Sequence, residues 1–98
     1  MIANARSVKS YLKEKARDPR FRELMELEEE KAKIASLIVR YRIDHHLNQA
    51  QLAKKVGVTQ QYISKVEEGD FSNLATVWRI LRALGYCVSI RAVQKRAA

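Results

Sequence analysis

Residues 48–69 read NQAQLAKKVGVTQQYISKVEEG, two short amphipathic segments on either side of one glycine. Leu52, Val56, Val58, Ile63 and Val66 fall at spacings that give both segments one shared inner surface. Ala53 stands where the second helix passes closest, a position that calls for a small side chain. Gly57 supplies the positive φ of a three-residue turn, which a Cβ would penalise. Thr59 is placed to cap the second segment, which then opens on polar residues that a merely soluble helix does not need.

One small residue, one glycine and five apolar positions at fixed offsets specify a helix-turn-helix rather than a plain αα-hairpin. That geometry accounts for the polar opening. A recognition helix enters the major groove with its N-terminal residues facing base edges. Gln60 and Gln61 carry amides that both donate and accept, the pattern suited to adenine. Thr59, Tyr62, Ser64 and Lys65 are the accompanying candidates for contacts to bases, sugar or phosphate. Asn48 and Gln49 open the first helix, whose free N–H groups favour a phosphate.

Outward from this stretch the chain reads as helices. Residues 7–17 have Val8, Tyr11 and Leu12 at helical spacing. Asp18-Pro19 stops that helix and starts another, with Asp18 as N-cap. Phe21, Leu24, Met25, Leu27, Ile34, Leu37, Ile38 and Tyr41 predict a helix over 19–44, interrupted near 28–30. The acidic run 26–30 is a solvated face. His45-His46 ends this helix, since His tolerates left-handed geometry; no metal site is expected there. After Gly69, Ser72 or Asn73 caps a last helix with Leu74, Val77, Leu81 and Leu84 inward and Ile80 beside them. Ser72 and Asn73 are also candidate loop contacts to DNA. Gly85 stops it. Tyr86, Val88 and Ile90 then alternate with polar neighbours at a strand period, predicting a strand that pairs with a second copy. Trp78 belongs to the core or a dimer contact.

Composition is consistent with that plan. The 98 residues make one small domain with an appendage, and only 3 Gly and 1 Pro leave little room for a turn-rich β fold. Neither a membrane span nor a signal peptide is indicated, and the single Cys87 fits a reducing cytosol. The net charge of +8 is uneven: residues 36–98 carry 10 Lys/Arg against 4 Asp/Glu, whereas residues 1–35 carry 9 against 7. The excess lies on the half that holds the helix-turn-helix, and it favours a polyanionic partner through counterion release.

The stretch LNQAQLAKKVGVTQQYISKVEEG resembles the helix-turn-helix of the lambdoid repressor and Cro proteins, the Cro/CI or XRE family, over about residues 34–85. The resemblance implies base contacts by Gln60 and Gln61 and backbone contacts by Asn48 and Gln49. It also implies an ion pair between Arg42 and Glu67. His46 replaces a common Gly, and GDFSNLATV lacks a proline often found before the last helix. The leader YLKEKARDPRFRELMELEEEKAKIASLIVRYR is similar to that of HigA-type antitoxins, which are encoded beside a RelE/HigB-like ribonuclease toxin. That likeness implies a toxin-binding arm, with Tyr11, Leu12, Phe21, Leu24 and Met25 as its apolar contacts.

The expectation is therefore an all-α, lambda-repressor-like bundle with an N-terminal helical extension (1–30), a DNA-binding domain (31–85) and a C-terminal strand and tail (86–98) that dimerises. The expected function is a cytoplasmic antitoxin that neutralises a ribonuclease toxin and represses its own operon by binding a double-stranded DNA operator as a homodimer. The alternatives are a free-standing phage-like repressor and a protein-interaction module that has lost DNA binding. No motif places an acid/base pair or an activated nucleophile, so no enzyme, cofactor or metal is expected.

Overall fold

Local chemistry sets where each helix of this chain begins and ends. In the computed structural model, which describes residues 5–15 and 17–95, the order is α1 (Ala5–Lys15), α2 (Pro19–Asp44), α3 (Gln49–Val56), α4 (Gln60–Glu67) and α5 (Leu74–Ala83). The outer ends of the expected extension and tail, residues 1–4 and 96–98, lie outside the described residues, as does residue 16. Asp18 is extended, and its carboxylate accepts the Arg20 N–H at 2.9 Å just ahead of Pro19. Asn48 and Gln51 form a reciprocal capping box, with bonds of 2.7 and 2.8 Å. Thr59 accepts from the Tyr62 N–H at 3.0 Å, and Asn73 from the Thr76 N–H at 3.2 Å.

The C-terminal ends of α2 to α5 share one device. His46, Gly57, Gly69 and Gly85 all have positive φ. The next N–H in each case closes back onto a helix carbonyl: Leu47 to Arg42 (2.9 Å), Val58 to Ala53 (3.0 Å), Asp70 to Lys65 (2.9 Å) and Tyr86 to Leu81 (3.0 Å). Each of these four helices therefore stops and turns within a residue or two. Short helices that turn so sharply must return against one another.

They return around Ile38, Leu52, Ala53, Ile63, Val66, Val77, Ile80, Leu81 and Leu84, all buried. Each large side chain fully removed from water contributes roughly 1.5–3 kcal/mol. Ala53 is 3% exposed, at the place where α3 meets α4. Ile34, Tyr41, Leu47, Val56, Val58, Phe71 and Val88 pack around the margin.

Three expectations are corrected. The helix over 19–44 is unbroken at 28–30, because no Gly or Pro interrupts it and Glu28–Lys31 (3.6 Å) and Glu30–Lys33 (2.9 Å) pair along it. Leu74 is half exposed, not inward, because as the first residue of α5 it precedes the turn that meets the core. The C-terminal strand, expected to pair with a second copy, is not seen: in the single chain residues 86–95 have no regular secondary structure. The Tyr86 N–H is taken by the closure of α5, and among the described residues no extended segment offers a ladder partner.

The arm stands apart from this bundle. The described side chains of α1 are all exposed, and in α2 before Ile34 only Phe21 and Lys31 are half-buried. The radius of gyration is 17.1 Å, where a compact chain of this length would have about 13 Å. No helix among the described residues is long and apolar enough to cross a membrane.

Candidate nucleic-acid interface

The caps that start α3 and α4 are what position the candidate DNA-facing residues. Gln60 and Gln61 are the first two residues of α4, and both are exposed. Thr59 is exposed with its hydroxyl oxygen committed to the cap, Ser64 is half-buried, and Lys65 is exposed in the last turn. Ile63 and Val66 of the same helix are fully buried. Two side chains thus hold α4 inward while its polar N-terminus faces water.

Tyr62 differs from its neighbours. Its ring packs against the core, and its hydroxyl is buried without a hydrogen-bond partner. It faces inward from α4 and offers no hydroxyl to the helix's exposed side in this geometry. Asn48 is exposed with its amide oxygen held in the capping box. Gln49 is half-buried, and its side-chain amide donates to Glu67 Oε1 at 3.1 Å. What Gln49 can offer a phosphate is its backbone N–H, which as a first-turn group has no intrahelical acceptor.

Beneath this surface Arg42 of α2 meets Glu67, the last residue of α4. Arg42 Nε donates to Oε2 at 2.7 Å and Nη2 donates to Oε1 at 3.0 Å, a two-pronged contact. Nη1 also donates to the Leu47 carbonyl at 3.2 Å. The Glu67 side chain is 7% exposed and that of Arg42 is 21%. The hydrogen bond to Glu67 raises the Arg42 pKa above its ordinary value; burial opposes the shift and Coulomb attraction adds to it. Arg42, Glu67 and Gln49 therefore join α2, the end of α4 and the start of α3 in one network.

Some of this was not read from the sequence. The Gln51 half of the capping box had a visible signal, an Asn followed three residues later by Gln. The Gln49–Glu67 bond had none, because it depends on how α3 crosses α4. Nor did the cluster at the end of α2, where Lys55 donates to the Tyr41 hydroxyl at 2.7 Å and His45 stacks on the Tyr41 ring at 3.9 Å.

The remaining candidates lie elsewhere. Asn73 uses its side-chain oxygen to cap α5, and Ser72 is exposed at the edge of an apolar cleft of about 820 Å³ between α2, α5 and the tail. Tyr86, Val88 and Ile90 line the same cleft, as does Trp78. Val88 packs on the core, whereas Tyr86 and Ile90 are exposed. In the arm, Tyr11, Leu12, Leu24 and Met25 are exposed and Phe21 is half-buried. No group of three His, Cys, Asp or Glu side chains converges among the described residues.

A family model described as helix-turn-helix matches residues 38–90, just over half of the chain. No curated protein gives a significant match.

Proposed function

Because the chain belongs to the Cro/CI (XRE-type) helix-turn-helix family of DNA-binding regulators, we propose that it is a repressor whose α4 reads an operator through Gln60 and Gln61. The observation that carries this reading is the split character of α4: Ile63 and Val66 are buried, while Gln60, Gln61 and Lys65 are exposed. In it, Lys65, Asn48 and the start of α3 position the protein on the phosphates, and two copies bind a near-palindrome with half-sites about 34 Å apart. Gln60→Ala should cost about 1–3 kcal/mol on the operator and relax preference at one base pair. Lys65→Ala should weaken all sequences alike and lower the salt slope by about one unit. Fluorescence anisotropy on operator and random duplexes measures both. Equal losses on the two duplexes for the Gln60 and Gln61 variants would remove the readout role.

The finer reading is an antitoxin that neutralises a RelE/HigB-like ribonuclease and represses its own operon. Its support is an arm that stands clear of the core with Tyr11, Leu12, Leu24 and Met25 exposed. The glutamates over 23–30 suit the basic surface with which a ribonuclease holds RNA. A free-standing repressor would need the arm only as a brace, and an arm with exposed side chains braces little. Co-purification of the full chain, and of the chain lacking residues 1–26, with the product of an adjacent ribonuclease reading frame tests this. Equal capture by both forms would end the arm's role in toxin binding.

A further inference from the structure

α3 and α4 are held together at both ends by different means. At one end the Gly57 turn joins them, with the Gly57 and Val58 N–H groups closing onto the Ala53 carbonyl at 2.9 and 3.0 Å. At the other end no turn links them. There the first residue of α3 meets the last residue of α4, and Gln49 Nε2 donates to Glu67 Oε1 at 3.1 Å. The acceptor is a carboxylate 7% exposed, already fixed by Arg42 Nε and Nη2. A carboxylate so placed holds a donor more firmly than one in water does. Arg42 braces the same end through Nη1 to the Leu47 carbonyl at 3.2 Å. That route reaches only the loop before α3, whereas Gln49 bonds from the helix itself.

The two ends have different tasks in operator binding. The start of α3 offers the N–H groups of its first turn to a phosphate. Bases are met at the opposite end, by Gln60 and Gln61 just past the turn. The separation of the two contacts is set by α3, about 10 Å long, and by the angle at which it crosses α4. With the turn as pivot, a slip of about 1 Å at the Gln49 end tilts α3 by roughly 5°. Hydrogen bonds to base edges weaken steeply when their geometry is lost. Phosphate contacts carry no sequence information and can re-form at a neighbouring angle.

We propose that the Gln49 side chain is a positioning residue, which acts through Glu67 to set the register between the phosphate grip of α3 and the base-reading end of α4. The proposal rests on the reading of α4 as the operator-reading helix. The second hydrogen of the Gln49 amide is not used in the bond to Glu67, so a phosphate contact of its own is the rival outcome.

Gln49→Met keeps the length of the side chain and removes its donors. Measured by anisotropy well below its melting temperature, it should bind operator about three- to tenfold more weakly. Its affinity for a random duplex should stay within about twofold of wild type, because no base need be reached there. In a Glu67→Ala background the same substitution should cost nothing further. Should Glu67→Ala fail to fold, nuclear magnetic resonance of the wild-type chain supplies the second reading. One Gln49 side-chain amide proton should be protected from exchange in the free protein, and it should remain the only one protected on operator. Equal losses on operator and random DNA, a full loss persisting in Glu67→Ala, wild-type discrimination by Gln49→Met, or protection of the second proton on operator would each overturn the proposal. Loss of discrimination in Gln60→Ala alongside an idle Gln49→Met would overturn the register alone and leave the proposed function standing.

Discussion

Glu67 sits where α2, α3 and α4 meet. It receives both prongs of Arg42 and the amide of Gln49, and it is almost wholly removed from solvent. Breaking a fully buried pair typically costs ~3–5 kcal/mol because the surviving charge is stranded. Arg42 keeps partial contact with water, so Glu67→Ala should cost about 2–3 kcal/mol, with Glu67→Gln also destabilising. Urea midpoints measure this, and wild-type midpoints for both would show the network to be structurally idle. A raised Arg42 pKa gives a contribution fully present through the neutral range and lost only in strong alkali, as pH passes the folded-state value. Tyr62 makes the opposite case. Its hydroxyl is buried with no partner, and such a group typically costs about 1–3 kcal/mol. Tyr62→Phe should therefore stabilise the fold by about 1 kcal/mol and leave operator affinity unchanged. A loss of affinity in anisotropy would return the hydroxyl to the DNA interface.

At the scale of the element, α3 and α4 have eight residues each, too short to persist alone in water. Caps and packing must supply what propensity does not, and the turn between them fixes the angle at which they meet. Gly57 holds that turn at φ +78°, and a Cβ built there meets nothing within 4 Å. The cost of a side chain is then purely that of left-handed backbone. Gly57→Ala should destabilise by about 1–2 kcal/mol, and Gly57→Asn by less. Thermal melts of the two variants decide it. Equal losses would point to a packing constraint and contradict the empty surroundings of Gly57.

The whole molecule has two parts with different reasons to exist. The core begins at about Ile34, and the described side chains before it contribute almost no buried surface. Deleting residues 1–26 should therefore leave a chain that still folds and binds operator. At low protein concentration its thermal midpoint should lie within about 3 °C of the full chain. Calorimetry checks this; failure of the truncated chain to fold would show that the arm is part of the core. Charge follows the same division, with most of the positive excess in residues 36–98, where the polyanion is to be met.

Much of this was legible in the sequence, and the reason is locality. Asp18 and Thr59 were readable as caps, and the last cap as Ser72 or Asn73, because a cap depends on two or three neighbouring residues. The left-handed residue after α2 was readable in the same way, and Leu52, Ala53, Ile63 and Val66 were readable as core because burial follows helical period. Tertiary structure decided the rest. Tyr62 lies one position from the exposed Gln61, yet which side of α4 is buried at that point depends on how the helix is seated against the core. Gln49 bonds Glu67 across 18 residues, a meeting that only the crossing of α3 and α4 creates. The alternation at Tyr86, Val88 and Ile90 promised a strand, but alternation specifies only which side chains share a face. A strand also needs a neighbour to receive its N–H and C=O groups, and that neighbour is a property of the assembled structure, not of the segment.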